Sequence, residues 1–311
     1  MFNRIINPII LVLALFLSGC VSSLEIQTSL EDDISRLAII SAFEPELKVL
    51  LDEAQIDETY VINGRSFHAG QLAGQDVVLF ESGVSMVNAS MTTQMALDHF
   101  NIRGIVFSGI AGGVNPELNI GDVVVPAQWG QYQEQLFARE TEDGWDLGWN
   151  KKEFDNFEMM FPQKVSLTHK GGKADKEENI FWFQVDQQML EVAEKAIGSI
   201  DLEKCTNSGK CLDTEPRVVL GGNGVSGSTF VDNASYRDYA WETFQVDALD
   251  METAAVAHVA YANQVPYIAF RSLSDLAGGG DGQNEIITFF KLASSNSAKV
   301  LLSFLKELDG N

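Results

Sequence analysis

Short apolar runs of strand length alternate with stretches of helical period over most of the chain, and this alternation limits the architecture more than any other feature. Leu37-Ala-Ile-Ile-Ser-Ala-Phe43 reads as a buried strand. Pro45 then suits the first turn of a helix through Leu47, Leu50 and Leu51. Ser66 to Leu72 and Asp76 to Glu81 read as paired strands around Ala73-Gly74-Gln75. A helix is predicted from about Met86 to Phe100, then a strand from Gly104 running into a glycine-rich turn at Gly109-Ile-Ala-Gly-Gly113, then a strand over Asp122 to Pro126. Further on come helices at Asp186 to Ile200, Ala234 to Thr243, Asp250 to Asn263 and Glu285 to Leu308, with strands at Arg217 to Val225 and Pro266 to Arg271. Apolar strands alternating with helices imply an α/β fold with a mixed, mostly buried sheet. With no repeat and no Pro-rich linker, one domain over 36–311 accounts for the pattern. The stretch from Gln131 to Phe183 breaks it. Rich in charge, Trp and Phe but without a period, it reads as an insertion that covers a pocket or alters a dimer surface.

The first residues are of another kind. Arg4 is the sole charge before Glu25, and an apolar run from Ile9 to Leu17 is too short to span a bilayer. A basic start, a short apolar stretch and small residues make an export signal. Leu17-Ser-Gly-Cys20 resembles the bacterial lipobox, whose cysteine is acylated and becomes the new N-terminus. The expected organisation is a lipoprotein signal peptide over 1–19, a polar tether over 20–35 and the folded domain beyond. Val21 rather than Asp follows Cys20, so the expected location is the bacterial cell envelope, an outer membrane facing the periplasm. Export places the two remaining cysteines, Cys205 and Cys211, in an oxidising compartment, where a disulfide across Thr-Asn-Ser-Gly-Lys is expected. A metal site is the alternative, but two thiols without nearby histidines make a weak ligand set, and the four histidines show no metal spacing.

Lys and Arg total 21 against 44 Asp and Glu, a formal charge of −23, which disfavours a nucleic-acid partner. The chemistry points to three acids. Glu46 and Asp275 each lie just past a predicted strand, and Glu252 lies in the first turn of a predicted helix. Ligands of open α/β sheets sit in the crevice beyond the carboxyl ends of the strands, where such acids can converge. Position alone also suits a solvated Glu46 and a Glu252 that serves a helix N-terminus. Gly109-Ile-Ala-Gly-Gly113 permits close backbone approach to a ligand, but lacks the endings of a Walker loop and the spacing of a dinucleotide fingerprint.

Taken in order, Ile39-Ile-Ser-Ala-Phe-Glu-Pro-Glu46, Gly109-Ile-Ala-Gly-Gly113, Val225-Ser-Gly-Ser-Thr-Phe-Val231, Asp250-Met-Glu-Thr-Ala-Ala-Val256 and Arg271-Ser-Leu-Ser-Asp275 resemble the nucleoside phosphorylase and nucleosidase superfamily, closest to the bacterial methylthioadenosine/S-adenosylhomocysteine nucleosidases. The resemblance implies a three-layer α/β/α sandwich around a twisted mixed β-sheet, a homodimer, no cofactor and no metal. It gives Glu46 the role of activating water, Asp275 that of protonating the purine at N7 with Ser274 in support, and Arg271 a place near the water. Met251 and Glu252 hold the ribose, Phe230 stacks on the base, Val231 reads the base edge by its backbone, and Phe43 and Val84 lie near the ribose and its 5′ substituent; Gly109 is assigned to the binding site. The implied activity is hydrolysis of the N-glycosidic bond of a purine nucleoside, a purine-salvage reaction. A phosphate-dependent phosphorylase and a non-catalytic nucleoside-binding surface lipoprotein are the alternatives. Phe107 stands where hexameric purine phosphorylases carry an arginine, which favours water over phosphate as nucleophile. Ile110 stands where many relatives have serine and Ser228 where many have Asp, both bearing on substrate choice.

Overall fold

The structure is a computed structural model that describes residues 33–173, 176–280 and 282–308. The expected signal peptide and Cys20 lie outside the described residues. The chain begins with β1 (Arg36–Ser41), α1 (Glu44–Leu51) and a meander of β2 (Gln55–Ile62), β3 (Arg65–Leu72) and β4 (Gln75–Glu81). Then follow α2 (Met86–His99), β5 (Ile102–Gly113) and β6 (Val123–Val125). Eight three-residue strands come next: β7 (Gln128–Gly130), β8 (Gln135–Phe137), β9 (Arg139–Thr141), β10 (Gly144–Asp146), β11 (Met160–Pro162), β12 (Val165–Leu167), β13 (Glu178–Ile180) and β14 (Trp182–Gln184). The remainder is α3 (Gln187–Ala196), β15 (Val218–Leu220), β16 (Asn223–Ser226), α4 (Ala234–Phe244), β17 (Val246–Asp250), α5 (Thr253–Asn263), β18 (Tyr267–Asp275) and α6 (Ile286–Leu308).

The main sheet has twelve strands and mixes directions. β1 runs parallel to β4 and β5, and β18 parallel to β5, while β17 is antiparallel to β5. Helices flank it in two groups, α2 with α5 and α1 and α3 with α6. β1 and β18 are buried along their whole length, as strands covered on both faces must be. α5 buries Ala254, Ala255, Val256, Ala257 and Ala260, small side chains that let it lie close to α2 and the sheet.

The pairing along β5 creates the functional crevice. β18 accompanies β5 from Ile105 to Gly112. The opposite edge is shared: β1 pairs with it up to Ile40↔Phe107, and β17 takes over at Leu249↔Gly112 and Ala248↔Gly113. Between these pairings the edge from Ser108 to Ala111 carries no strand, and a cleft opens there. Such changes of strand partner are where α/β sheets bind ligands.

Several sequence expectations need correction. Gly109 to Gly113 is strand, not turn, because β18 and then β17 keep pairing with it. Arg217 to Val225 is two strands interrupted at Gly221 and Gly222, both with positive φ. α5 begins at Thr253 rather than Asp250, and β2 and β17 are strands that the sequence reading did not assign. The stretch 131–183 forms small antiparallel pairs, β8 with β11, β9 with β10 and β12 with β13, while β14 joins the main sheet beside β7. None of its described residues lines the cleft. Cys205 and Cys211 are joined by a disulfide that closes an exposed turn.

Candidate active site

The cleft, about 230 Å³, is walled by the ends of β1, β5, β17 and β18 and by the starts of α1 and α6. It collects Phe43, Glu46, Val84, Phe230, Val231, Met251, Glu252, Ser274 and Asp275, together with Ile110, Ala111, Gly112 and Leu249. Residues far apart in sequence thus meet in one mostly apolar pocket, with four acids, Glu46, Asp250, Glu252 and Asp275, as its main polar groups. Phe230 and Val84 are about half exposed at the mouth, where an apolar ligand face can cover them.

Glu46 projects from the first turn of α1 and is only 2 % exposed. Its Oε2 accepts the Ala42 N–H at 2.7 Å and its Oε1 the Ile110 N–H at 2.8 Å. Burial pushes its carboxyl up to about 7, against the opposing pull of Arg271 and the backbone N–H donors. A carboxyl poised there exchanges protons at neutral pH, as a general base must.

Glu252 is the N-cap residue of α5 yet does not cap it. Asp250 does so instead: its Oδ1 accepts the N–H groups of Glu252 and Thr253, both at 3.2 Å. Glu252 is therefore free to point into the cleft, where Oε1 accepts the Ser85 N–H at 2.8 Å. Ser85 holds that N–H in place with a φ of 81°, a conformation that costs a non-glycine residue about 1–3 kcal/mol. Burial first, and the neighbouring Asp250 charge next, push Glu252 up to about 8. Asp275 ends β18 on the far side. It accepts Ser274 Oγ–H at 2.9 Å on Oδ2, and on Oδ1 the Ala277 N–H at 2.9 Å and Asn284 Nδ2–H at 3.3 Å. Burial raises its carboxyl above the ordinary value, which favours a proton available for delivery.

Arg271 and Gly109 do not line the cleft. Arg271 is fully buried beneath it, behind Glu46 and Glu252. Arg271 sits on β18 opposite Gly109 of β5, and its side chain crosses over β5 at that point. There Nη1 donates to the Ile110 carbonyl at 3.2 Å, Nε lies 2.8 Å from Asp250 Oδ2, and Nη2 lies 3.7 Å from Glu252 Oε2. A Cβ on residue 109 would sit 2.1 Å from Nη1 and 2.7 Å from Glu46 Oε1, so this glycine makes room for the guanidinium, not for a ligand. Phe107, two residues earlier on β5, places its ring 4.1 Å under the guanidinium and is itself buried, away from the cleft. Asp250 and Ser85 are functional positions the sequence reading missed; the only signal for the first was an acid repeated within the apolar Val246-Asp-Ala-Leu-Asp250. Among the described residues, no cluster of His, Cys, Asp and Glu could hold a metal ion.

An α/β sheet whose central strand changes partner, with three buried acids gathered over the gap, defines a small-molecule enzyme of the nucleoside-cleaving type. The profile of the Phosphorylase superfamily matches residues 36–306, and the chain belongs to that superfamily. A 5′-methylthioadenosine/S-adenosylhomocysteine nucleosidase of Tolumonas auensis is 28% identical over 274 residues, covering 88% of this chain and 100% of the relative. Among solved structures, the nucleosidase of that name from Colwellia psychrerythraea in complex with adenine has a TM-score of 0.66 at 25% identity, covering 88% of this chain and 96% of its own. Futalosine hydrolase of Helicobacter pylori shares the fold with a TM-score of 0.65 at 21% identity, over 90% of this chain and 99% of its own.

Proposed function

We propose that this chain hydrolyses the N-glycosidic bond of a purine nucleoside of the methylthioadenosine or S-adenosylhomocysteine type and releases the free base. The observation that carries this reading is the convergence of Glu46, Glu252 and Asp275 in one apolar cleft, with the first two held near neutrality. Water attacks C1′ and gives its proton to Glu46. The C1′–N9 bond breaks, its electron pair passes to the purine, and Asp275 delivers a proton to N7. Glu252 holds the ribose hydroxyls, and its ionised form, which the neighbouring Arg271 favours, opposes the positive charge that develops on the sugar. Phe230 supplies a stacking face for the base, Val231 its backbone, and Met251, Phe43 and Val84 an apolar surround for the ribose and its 5′ group.

Water is favoured over phosphate as the nucleophile because none of the described residues lining the cleft is Lys or Arg, and Phe107 supports Arg271 from below. Incubation of the purified protein with methylthioadenosine, with and without phosphate, tests this. Free adenine and methylthioribose at equal rates in both are expected; a sugar 1-phosphate as the main product would establish the phosphorylase reading, and binding without cleavage the non-catalytic one.

We also propose that the protein is an exported lipoprotein acylated on Cys20. A single acyl chain binds membranes marginally, so more than one is expected. Cys20→Ala should release the protein from the membrane fraction; an unchanged distribution counts against the anchor. Export accords with the bond between Cys205 and Cys211: thiol titration of unfolded, unreduced protein should find neither free. Homodimer formation is supported by Val84, Val87 and Met91, exposed apolar residues along α2 and its approach beside the cleft mouth.

A further inference from the structure

Arg271 is too deeply buried to meet substrate directly, yet it stands behind both glutamates of the cleft. What fixes it is a carboxylate with an unusual number of donors. Asp250 accepts hydrogen bonds from Ser226 Oγ and Thr253 Oγ1, from the backbone N–H groups of Glu252 and Thr253, and pairs with Arg271 Nε at 2.8 Å. Thr253 Oγ1 in turn lies 2.9 Å from Arg271 Nε, so the acid, the hydroxyl and the guanidinium form one closed set. The far end of the guanidinium is held only loosely: Nη2 is buried without a hydrogen-bond partner and forms a long ion pair, 3.7 Å, with Glu252 Oε2.

We propose that Asp250 is a positioning residue for glycosidic cleavage, anchoring Arg271 by Nε so that Nη2 faces Glu252 without closing onto it and both glutamates stay available to the reaction. The inference rests on the hydrolytic reading above. A buried arginine beside two carboxylates would otherwise close into ion pairs with them, because an unpaired charge in such a place is costly. Asp250 offsets that charge at the opposite end of the guanidinium. The ionisable groups facing Arg271 are Glu46 from α1, Glu252 at the start of α5 and Asp250 from β17; β5 contributes the Phe107 ring and the Ile110 carbonyl, and α2 is approached only through the Ser85 N–H that Glu252 accepts. Arg271 lowers the proton affinity of both glutamates, and Asp250 raises that of Glu252. Removing the Asp250 charge therefore makes Glu252 easier to ionise, and leaves the Arg271 charge unbalanced beside both glutamates.

The test is Asp250→Asn in the full chain with methylthioadenosine. Turnover should fall about 10²-fold, the scale of a misplaced catalytic group. The acid limb of the pH profile should move down by about one pH unit, the scale of one nearby charge. A purely structural role predicts loss of turnover with the limb unmoved, and that result, or an upward shift, overturns the proposal. Asp250→Ser, which also removes the charge but keeps a hydroxyl at that place, reads the same limb if Asp250→Asn fails to fold; no downward shift there overturns it as well. Carboxyl NMR titration of labelled glutamates in wild type and variant follows Glu46 and Glu252 without turnover. Failure of the wild type to cleave any nucleoside would sink the hydrolytic reading alone, whereas unchanged glutamate titrations in Asp250→Asn would sink this one.

Discussion

Glu46 Oε1 accepts the Ile110 N–H at 2.8 Å and so occupies, on the edge of β5, the place between β1 and β17 that no strand fills. The same carboxyl is tied to Ala42 N–H by its other oxygen, which fixes its direction before any ligand arrives. Glu46→Gln keeps the shape but cannot take a proton from water. Its amide NH₂ must also face one of two N–H donors. Turnover should fall about 10²–10⁴-fold, the usual contribution of a positioned acid or base. Steady-state kinetics on a variant with native circular dichroism checks this; a loss below tenfold would remove Glu46 from the mechanism.

The buried acids also govern stability against pH. Glu46 rises from 4.5 to about 7 and Glu252 from 4.5 to about 8 on folding, both chiefly through burial. The folded protein thus binds more protons than the unfolded chain between those values. Stability from these groups is fully present below about 4.5 and is lost as pH rises through about 7 to 8. Denaturant unfolding of the ligand-free protein should show a falling free energy over that window, with a shallower fall in Glu46→Gln. A rise across the same window in wild type would contradict the burial argument.

How far the sequence disclosed this site depends on the residue. Glu46 and Asp275 were legible because each stands just past a recognisable apolar strand, and strand ends are where α/β sheets gather ligands; Glu252 was legible only as the opening of a predicted helix. Gly109 was misread because a glycine that yields space to Arg271 looks the same in sequence as one that approaches a ligand. Its partner stands on β18, beyond the range of any local pattern. Asp250 was missed for a similar reason: its donors come from β16, α5 and β18, and only the fold joins them. The stretch 131–183 showed no period because strands of three residues are too short to display one.

Gly109→Ala tests the crossing of Arg271 over β5. The added Cβ would lie 2.1 Å from Nη1, against a guanidinium held at three points and therefore unable to yield cheaply. Overpacking of this kind costs about 1–3 kcal/mol. The variant should melt lower, and turnover should fall with it because Glu46 and Glu252 lose their fixed neighbour. Wild-type melting together with wild-type turnover would show that Arg271 can take another path.

Asp275 carries the sharpest expectation, because its surroundings differ from those of the two glutamates. Among the described residues no arginine acts on it; it has the Ser274 hydroxyl, the Ala277 N–H and the Asn284 amide, with the Glu285 charge nearby. Burial raises its proton affinity with no cation to oppose it, the condition for an acid that delivers a proton to a departing base. Asp275→Asn retains hydrogen-bonding capacity toward N7 but has no acidic proton to give. Turnover should drop about 10²–10⁴-fold while nucleoside affinity changes little, since the proton is transferred only as the bond breaks. Calorimetric binding of methylthioadenosine to the variant, beside its steady-state kinetics, separates the two quantities. Binding lost in proportion to turnover would make Asp275 a recognition group alone, and full activity would remove it from the site.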